Sequence, residues 1–125
     1  MTGTAETGTA ADTGSGETCP DNLFSLLVAT SQQLTVRYPK KGGAFERVAQ
    51  LAEETGEVAE QINIWAGTGL KRQKHGEFDP RNLAMELADV MRVAVGIALE
   101  FGIVNSLGDQ IRARHAQVTE EVDGS

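Results

Sequence analysis

Two short acidic motifs offer chemistry in this chain: Glu54-Thr55-Gly56-Glu57 and Glu86-Leu87-Ala88-Asp89. Each places two carboxylates three residues apart, and on a helix such positions share a face with Cβ atoms about 5–6 Å apart. Both motifs lie in stretches that read as helices packed against protein. A buried carboxylate without compensation costs roughly several kcal/mol, so four of them call for cations. Oxygen ligands suit hard divalent metals. The competing explanation is pairing with basic side chains. Within the cores of the two motif-bearing stretches the basic residues are Arg92 and, near the start of the first, Arg47. One or two guanidinium groups do not neutralise four carboxylates.

The metal can be narrowed by what the motifs lack. A di-iron centre in a helical bundle uses Glu-x-x-His pairs, and both histidines, His75 and His115, lie outside the motifs. Without imidazole or thiolate ligands, zinc is disfavoured. An all-carboxylate cluster selects Mg2+, with Mn2+ as the alternative.

Four helical segments must position these groups, and no stretch alternates as a strand would. The first runs from about Asn22 to Val36, with apolar Leu23, Leu26, Leu27 and Leu34 and with Asp21 placed to cap it. Tyr38-Pro39-Lys40-Lys41-Gly42-Gly43 is turn chemistry. The second runs from about Ala44 to Ala66, with Leu51, Val58 and Ile62 marking its core side and Gly67 as C-cap. Residues 67–78 form a basic, glycine-containing loop. Asp79-Pro80 opens the third helix, which continues to about Phe101 and stops at Gly102. Ser106 can cap the fourth, whose apolar stripe is Leu107, Ile111, Val118 and Val122.

Short connections between four helices predict an all-α antiparallel four-helix bundle. Between Leu83 and Leu99 the third helix carries only Glu86, Asp89 and Arg92 as charged side chains. A helix so apolar must be covered on most sides. Four short helices barely suffice, so a homo-oligomer is expected, most simply a homodimer.

Residues 1–18 contain no large apolar side chain except Met1 and read as a disordered tail, leaving residues 19–125 as one domain. The tail lacks the basic start and apolar centre of a secretory signal. The one cysteine, Cys19, has no partner for an intrachain disulfide, which suits a reducing compartment. No run reaches the roughly 18–20 apolar residues of a membrane span. A net charge of −7 argues against duplex nucleic acid as a partner. The expectation is a soluble cytoplasmic protein with no membrane or duplex partner.

Leu51-Ala52-Glu53-Glu54-Thr55-Gly56-Glu57-Val58-Ala59-Glu60, followed by Glu86-Leu87-Ala88-Asp89-Val90, resembles the MazG-type nucleotide pyrophosphohydrolases of the all-α NTP pyrophosphatase superfamily. Their pattern is Glu-x-x-Glu, a variable gap, then Glu-x-x-Asp. The resemblance spans roughly residues 22–118. It implies a MazG-type bundle in which Glu54, Glu57, Glu86 and Asp89 bind Mg2+, and hydrolysis of a nucleoside triphosphate to a monophosphate and pyrophosphate, as in nucleotide-pool house-cleaning. Glu57 is the choice for the base that accepts the attacking water's proton. Val93 stands one turn after Asp89, where members acting on deoxycytidine-type substrates carry an aromatic.

Substrate contacts are expected from Trp65, Lys71, Arg72, Lys74 and Arg92. Trp65 can stack a base or serve as a core or interface anchor. The three loop cations can close over phosphates or simply be solvated, and Arg92 can reach a phosphate or hold Asp89. The alternative function is a catalytically quiet helical dimer that binds nucleotide or metal as a regulator or adaptor.

Overall fold

A computed structural model describes residues 20–67 and 76–124, which form four helices in the order α1 Pro20–Arg37, α2 Gly43–Ala66, α3 Pro80–Glu100 and α4 Val104–Gly124. The tail 1–18, Cys19 and the loop residues Lys71, Arg72, Lys74 and His75 lie outside the described residues.

Helix ends follow local chemistry at three of the expected places. Gly67 takes the left-handed conformation (φ 76°) and its N–H donates to the end of α2, a geometry that costs glycine nothing. Asp79 caps α3, its Oδ1 accepting the Arg81 N–H at 2.9 Å, with Pro80 as the first helical residue. Gly102 (φ 67°) closes α3 in a Schellman arrangement: Ile103 N–H donates to the Ala98 carbonyl and Gly102 N–H to that of Leu99. Two expected caps are corrected. The first helix begins at Pro20, so Asp21 lies inside it, and α4 begins at Val104, so Ser106 is helical. Proline at a helix start needs no N–H donor there. The Schellman turn carries the chain directly into α4.

Helices α2 and α3 run antiparallel. Gly43 and Arg47 lie by Glu100, whereas Glu54 and Glu57 meet Glu86 ten residues further along α2 and a comparable distance back along α3. Helix α1 packs on α3 as well, and the Ser31 hydroxyl donates to the Arg92 carbonyl at 2.8 Å. Three elements meet at Arg47, which is 6 % exposed. Its Nε donates to Glu100 Oε1 at 2.9 Å and its Nη2 to Thr35 Oγ1 at 3.0 Å, joining α2 to α3 and α1. Gly96 makes room for this guanidinium, since a Cβ there would stand 2.7 Å from Arg47 Nη1.

The core is small. Ile64, Val93, Val95 and Ala98 are its buried apolar members among the described residues. Ile62, expected on the core side of α2, is 43 % exposed while Ile64 is buried. Helix α4 is engaged at its start, where Gly108 is buried near the Phe24 ring, and every described residue from 109 onward is exposed. Its stripe of Ile111, Val118 and Val122 therefore stays exposed, with no cover among the described residues. Met85 and Met91 on α3 are likewise more than half exposed. No helix among the described residues is long and apolar enough to cross a membrane.

The Arg47 junction gives a stability prediction. Arg47→Ala removes two hydrogen bonds of a charged donor, and because Glu100 is partly solvated the expected loss is roughly 1–3 kcal/mol. Urea unfolding followed by circular dichroism measures it. An unchanged midpoint would mean that the three helices do not depend on this junction.

Candidate metal centre

Helical spacing and the antiparallel α2–α3 seam together build the site. Glu54 and Glu57 project from α2, Glu86 and Asp89 from α3. One carboxylate oxygen from each of Glu54, Glu57 and Glu86 lies within 4.8 Å of the other two. Two oxygens on opposite sides of Mg2+, each about 2.1 Å from it, would be about 4.2 Å apart. Small side-chain rotations close that difference. Asp89 is not in this closest group. Its Oδ1 lies 3.5 Å from Arg92 Nη2, one turn further along α3. Its charge still reaches the cluster, because it helps raise the pKa of both Glu54 and Glu86.

Burial and mutual repulsion make the charged form of these carboxyls costly. Glu54 Oε1 and Glu86 Oε1 are buried with no hydrogen-bond partner. Native structures leave few buried polar atoms unpaired, and each such atom asks for a cause. Burial is the first reason that the Glu54 carboxyl is pushed above its usual value; the charges of Glu57 and Asp89 push the same way, against a smaller lowering by Arg92. Glu86 is pushed up to about 6, again first by burial and then by Glu57 and the other two carboxylates. Arg92 is the basic side chain that reaches the cluster. Among the described residues, one guanidinium shared with Asp89 does not compensate the other three carboxylates, so the donor set suits a hard divalent cation. Arg47 is committed to Glu100 and Thr35 at the far end of the seam, and Arg81 pairs with Asp79 at the start of α3.

The other expected residues divide. Trp65 is 62 % exposed, so it is no core anchor within this chain. Lys71, Arg72 and Lys74 are outside the described residues. A cavity of mixed polar and apolar lining that the helix pattern did not announce adjoins Arg92 and draws Tyr38 and Lys40 from the α1–α2 turn. The cationic turn Lys40-Lys41 was its one visible signal.

Comparison with known proteins converges on the same stretch. Residues 46–105 match the family model of the MazG nucleotide pyrophosphohydrolase domain. That span contains both acidic motifs and the whole α3 scaffold; members of the matched family are helical, generally use divalent metal and act on nucleoside triphosphates. Searches of curated proteins and of solved structures give no significant match.

The raised carboxyls set a pH dependence. Glu86 keeps its proton in the fold up to about pH 6, whereas its ordinary value is 4.5. Between these values the folded state binds more protons than the unfolded, so stability falls as pH rises through the window. Metal-free protein is therefore expected to melt at higher temperature at pH 5 than at pH 7. Mg2+ should recover the difference at pH 7 and give less at pH 5, because it competes with protons. Scanning calorimetry with EDTA or Mg2+ checks this, and Glu86→Gln should flatten the metal-free profile. A metal-free optimum at pH 7 would contradict the arrangement.

Proposed function

We propose that the protein is a Mg2+-dependent nucleoside triphosphate pyrophosphohydrolase, with Mn2+ as a substitute metal. The observation that carries this reading is the convergence of Glu54, Glu57 and Glu86, with two buried oxygens that lack partners. The matching family supports the reaction class. Bound cations supply positive charge opposite phosphate oxygens and make water more acidic.

The chain's own residues then have distinct duties. Glu54 and Glu86 hold the cation from opposite helices, and Asp89 joins them from its position beside Arg92. Glu57 is exposed where Glu54 and Glu86 are half-buried. It is the carboxylate best placed to meet water, and it takes the proton as the oxygen attacks phosphorus and the anhydride bond breaks. The products are a nucleoside monophosphate and pyrophosphate. Trp65 offers an exposed ring on which any base can stack, and Lys71, Arg72 and Lys74 would meet the phosphates from the loop.

The same surface supports a homo-oligomer. The uncovered stripe of α4 and the exposed Met85 and Met91 of α3 form apolar area that a second copy of the chain would bury. Light scattering at micromolar concentration should give at least twice the monomer mass. A monomeric mass would remove this part of the proposal.

Activity is tested by measuring pyrophosphate released from a panel of NTPs and dNTPs with Mg2+ or Mn2+. Glu54→Gln and Glu57→Gln are each expected to lose more than the roughly 10–100-fold typical of outer-shell changes at metal sites, with helical content retained. No release from any nucleotide by the wild-type protein would refute the enzymatic reading.

A further inference from the structure

Helix α4 leaves one face uncovered along most of its length. At about 100° per residue, Ile111, His115, Val118 and Val122 fall within an arc of about 60°. The same face is covered where the helix begins: Val104 and Leu107 are half-buried there, and Gly108 is buried near the Phe24 ring. Beyond Gly108 the stripe continues with Ile111 52 %, Val118 46 % and Val122 67 % exposed. The steps from Gly108 through Ile111, His115 and Val118 to Val122 alternate between three and four residues. That is the repeat by which two helices seat side chains in each other's gaps.

Charge decides what fits the stripe. Arg114 and Glu121 lie one heptad apart on one of its flanks, and Arg112 lies on the other. Along the helix the arginines precede the acids Glu120, Glu121 and Asp123, and all of these side chains are exposed. Two copies of α4 laid antiparallel bring like flanks together, so Arg114 of each meets the partner's Glu121. In that register Ile111 opposes the partner's Val122 and His115 opposes the partner's Val118, and twofold symmetry repeats every contact. Parallel pairing would set Arg114 against Thr119 and forgo both ion pairs. Glu121 already accepts from Gln117 Nε2 at 3.3 Å on its own helix, but a carboxylate accepts several hydrogen bonds. Other occupants fit less well. Residues 1–18 offer no large apolar side chain except Met1. A lipid surface favours a basic polar face, whereas α4 sets four carboxylates against two arginines.

We propose that α4 pairs antiparallel with α4 of a second copy of this chain, with Ile111, Val118 and Val122 in the seam and Arg114–Glu121 ion pairs on its flank. This rests on the homo-oligomer reading above and names its interface. His115 is the polar member of the seam, and a polar group in such a stripe lowers stability while fixing alignment. Contact confined to so short a stripe is smaller than a standard interface, so the dimer dissociates at a concentration on the order of 1 μM.

Sedimentation equilibrium of the full chain, from roughly 0.1 to 100 μM, measures the dissociation constant of the dimer. Arg114→Glu and Glu121→Arg each turn two attractions into two repulsions, and each is expected to weaken the dimer about tenfold. The two changes combined restore opposite charges and should recover most of that loss. Val118→Glu puts a carboxylate into the seam and should leave monomer throughout, whereas His115→Leu should tighten the dimer about tenfold. Every described residue from 109 onward is exposed, so these changes remove no buried packing, and circular dichroism checks that helix content persists. A wild-type dimer that every variant leaves within about twofold would overturn this interface while the homo-oligomer reading stands. A combined variant no tighter than either single change would also overturn it. A wild type that stays monomeric across the range removes both. Flotation of wild type, but not of Val118→Glu, with phosphatidylcholine–phosphatidylserine vesicles would assign the stripe to a membrane surface and overturn the proposal.

Discussion

Mutual repulsion among carboxylates is the constraint on which the rest of this structure depends. Glu54, Glu57 and Glu86 hold oxygens within 4.8 Å of one another across the α2–α3 seam, with Asp89 close behind. Left to themselves, such side chains would turn apart into water. They are held together because the two backbones that carry them are clamped elsewhere. Arg47, Glu100 and Thr35 fasten one end of the seam, and the Ser31–Arg92 hydrogen bond ties α1 across its middle. Charge strain at the cluster is thus set against hydrogen bonds and packing several turns away, an arrangement common where polar groups are gathered for use.

Helix α3 serves two purposes that compete. It provides Glu86 and Asp89, and it also provides Val93, Val95 and Ala98, most of the buried apolar core. The Gly96 gap, filled by Arg47, sits among those core residues. Shifting α3 along its axis would therefore disturb core, clamp and carboxylates together. A small core with this much apolar surface left uncovered makes the lone chain a weak unit by area alone, and α4 contributes little to it beyond its first turn.

Much of this was legible. The four helices, the glycine stops at Gly67 and Gly102 and the Asp79-Pro80 start depend on short-range rules that act within a few residues. The acidic motifs were legible for the same reason, since three-residue spacing means one face on any helix. Where the reading slipped, longer-range packing had the decision. Ile62 and Ile64 sit two positions apart, and only the angle at which α3 crosses could choose which was buried. The fourth helix kept its amphipathic stripe, yet its departure angle after the Schellman turn left that stripe uncovered among the described residues. Arg47 gave no hint of its burial, because its partners lie 12 and 53 residues away.

The amino-acid order alone determined which groups can act: four carboxylates in two pairs, a handful of cations, and helices to carry them. Periodicity and capping are local, so they survive without knowledge of the fold. Tertiary structure decided which carboxylates meet, that Asp89 leans on Arg92 while the other three converge, and that a cavity of mixed lining opens one turn further on. Those outcomes follow from the register between helices, and register is set by contacts between residues far apart in the chain.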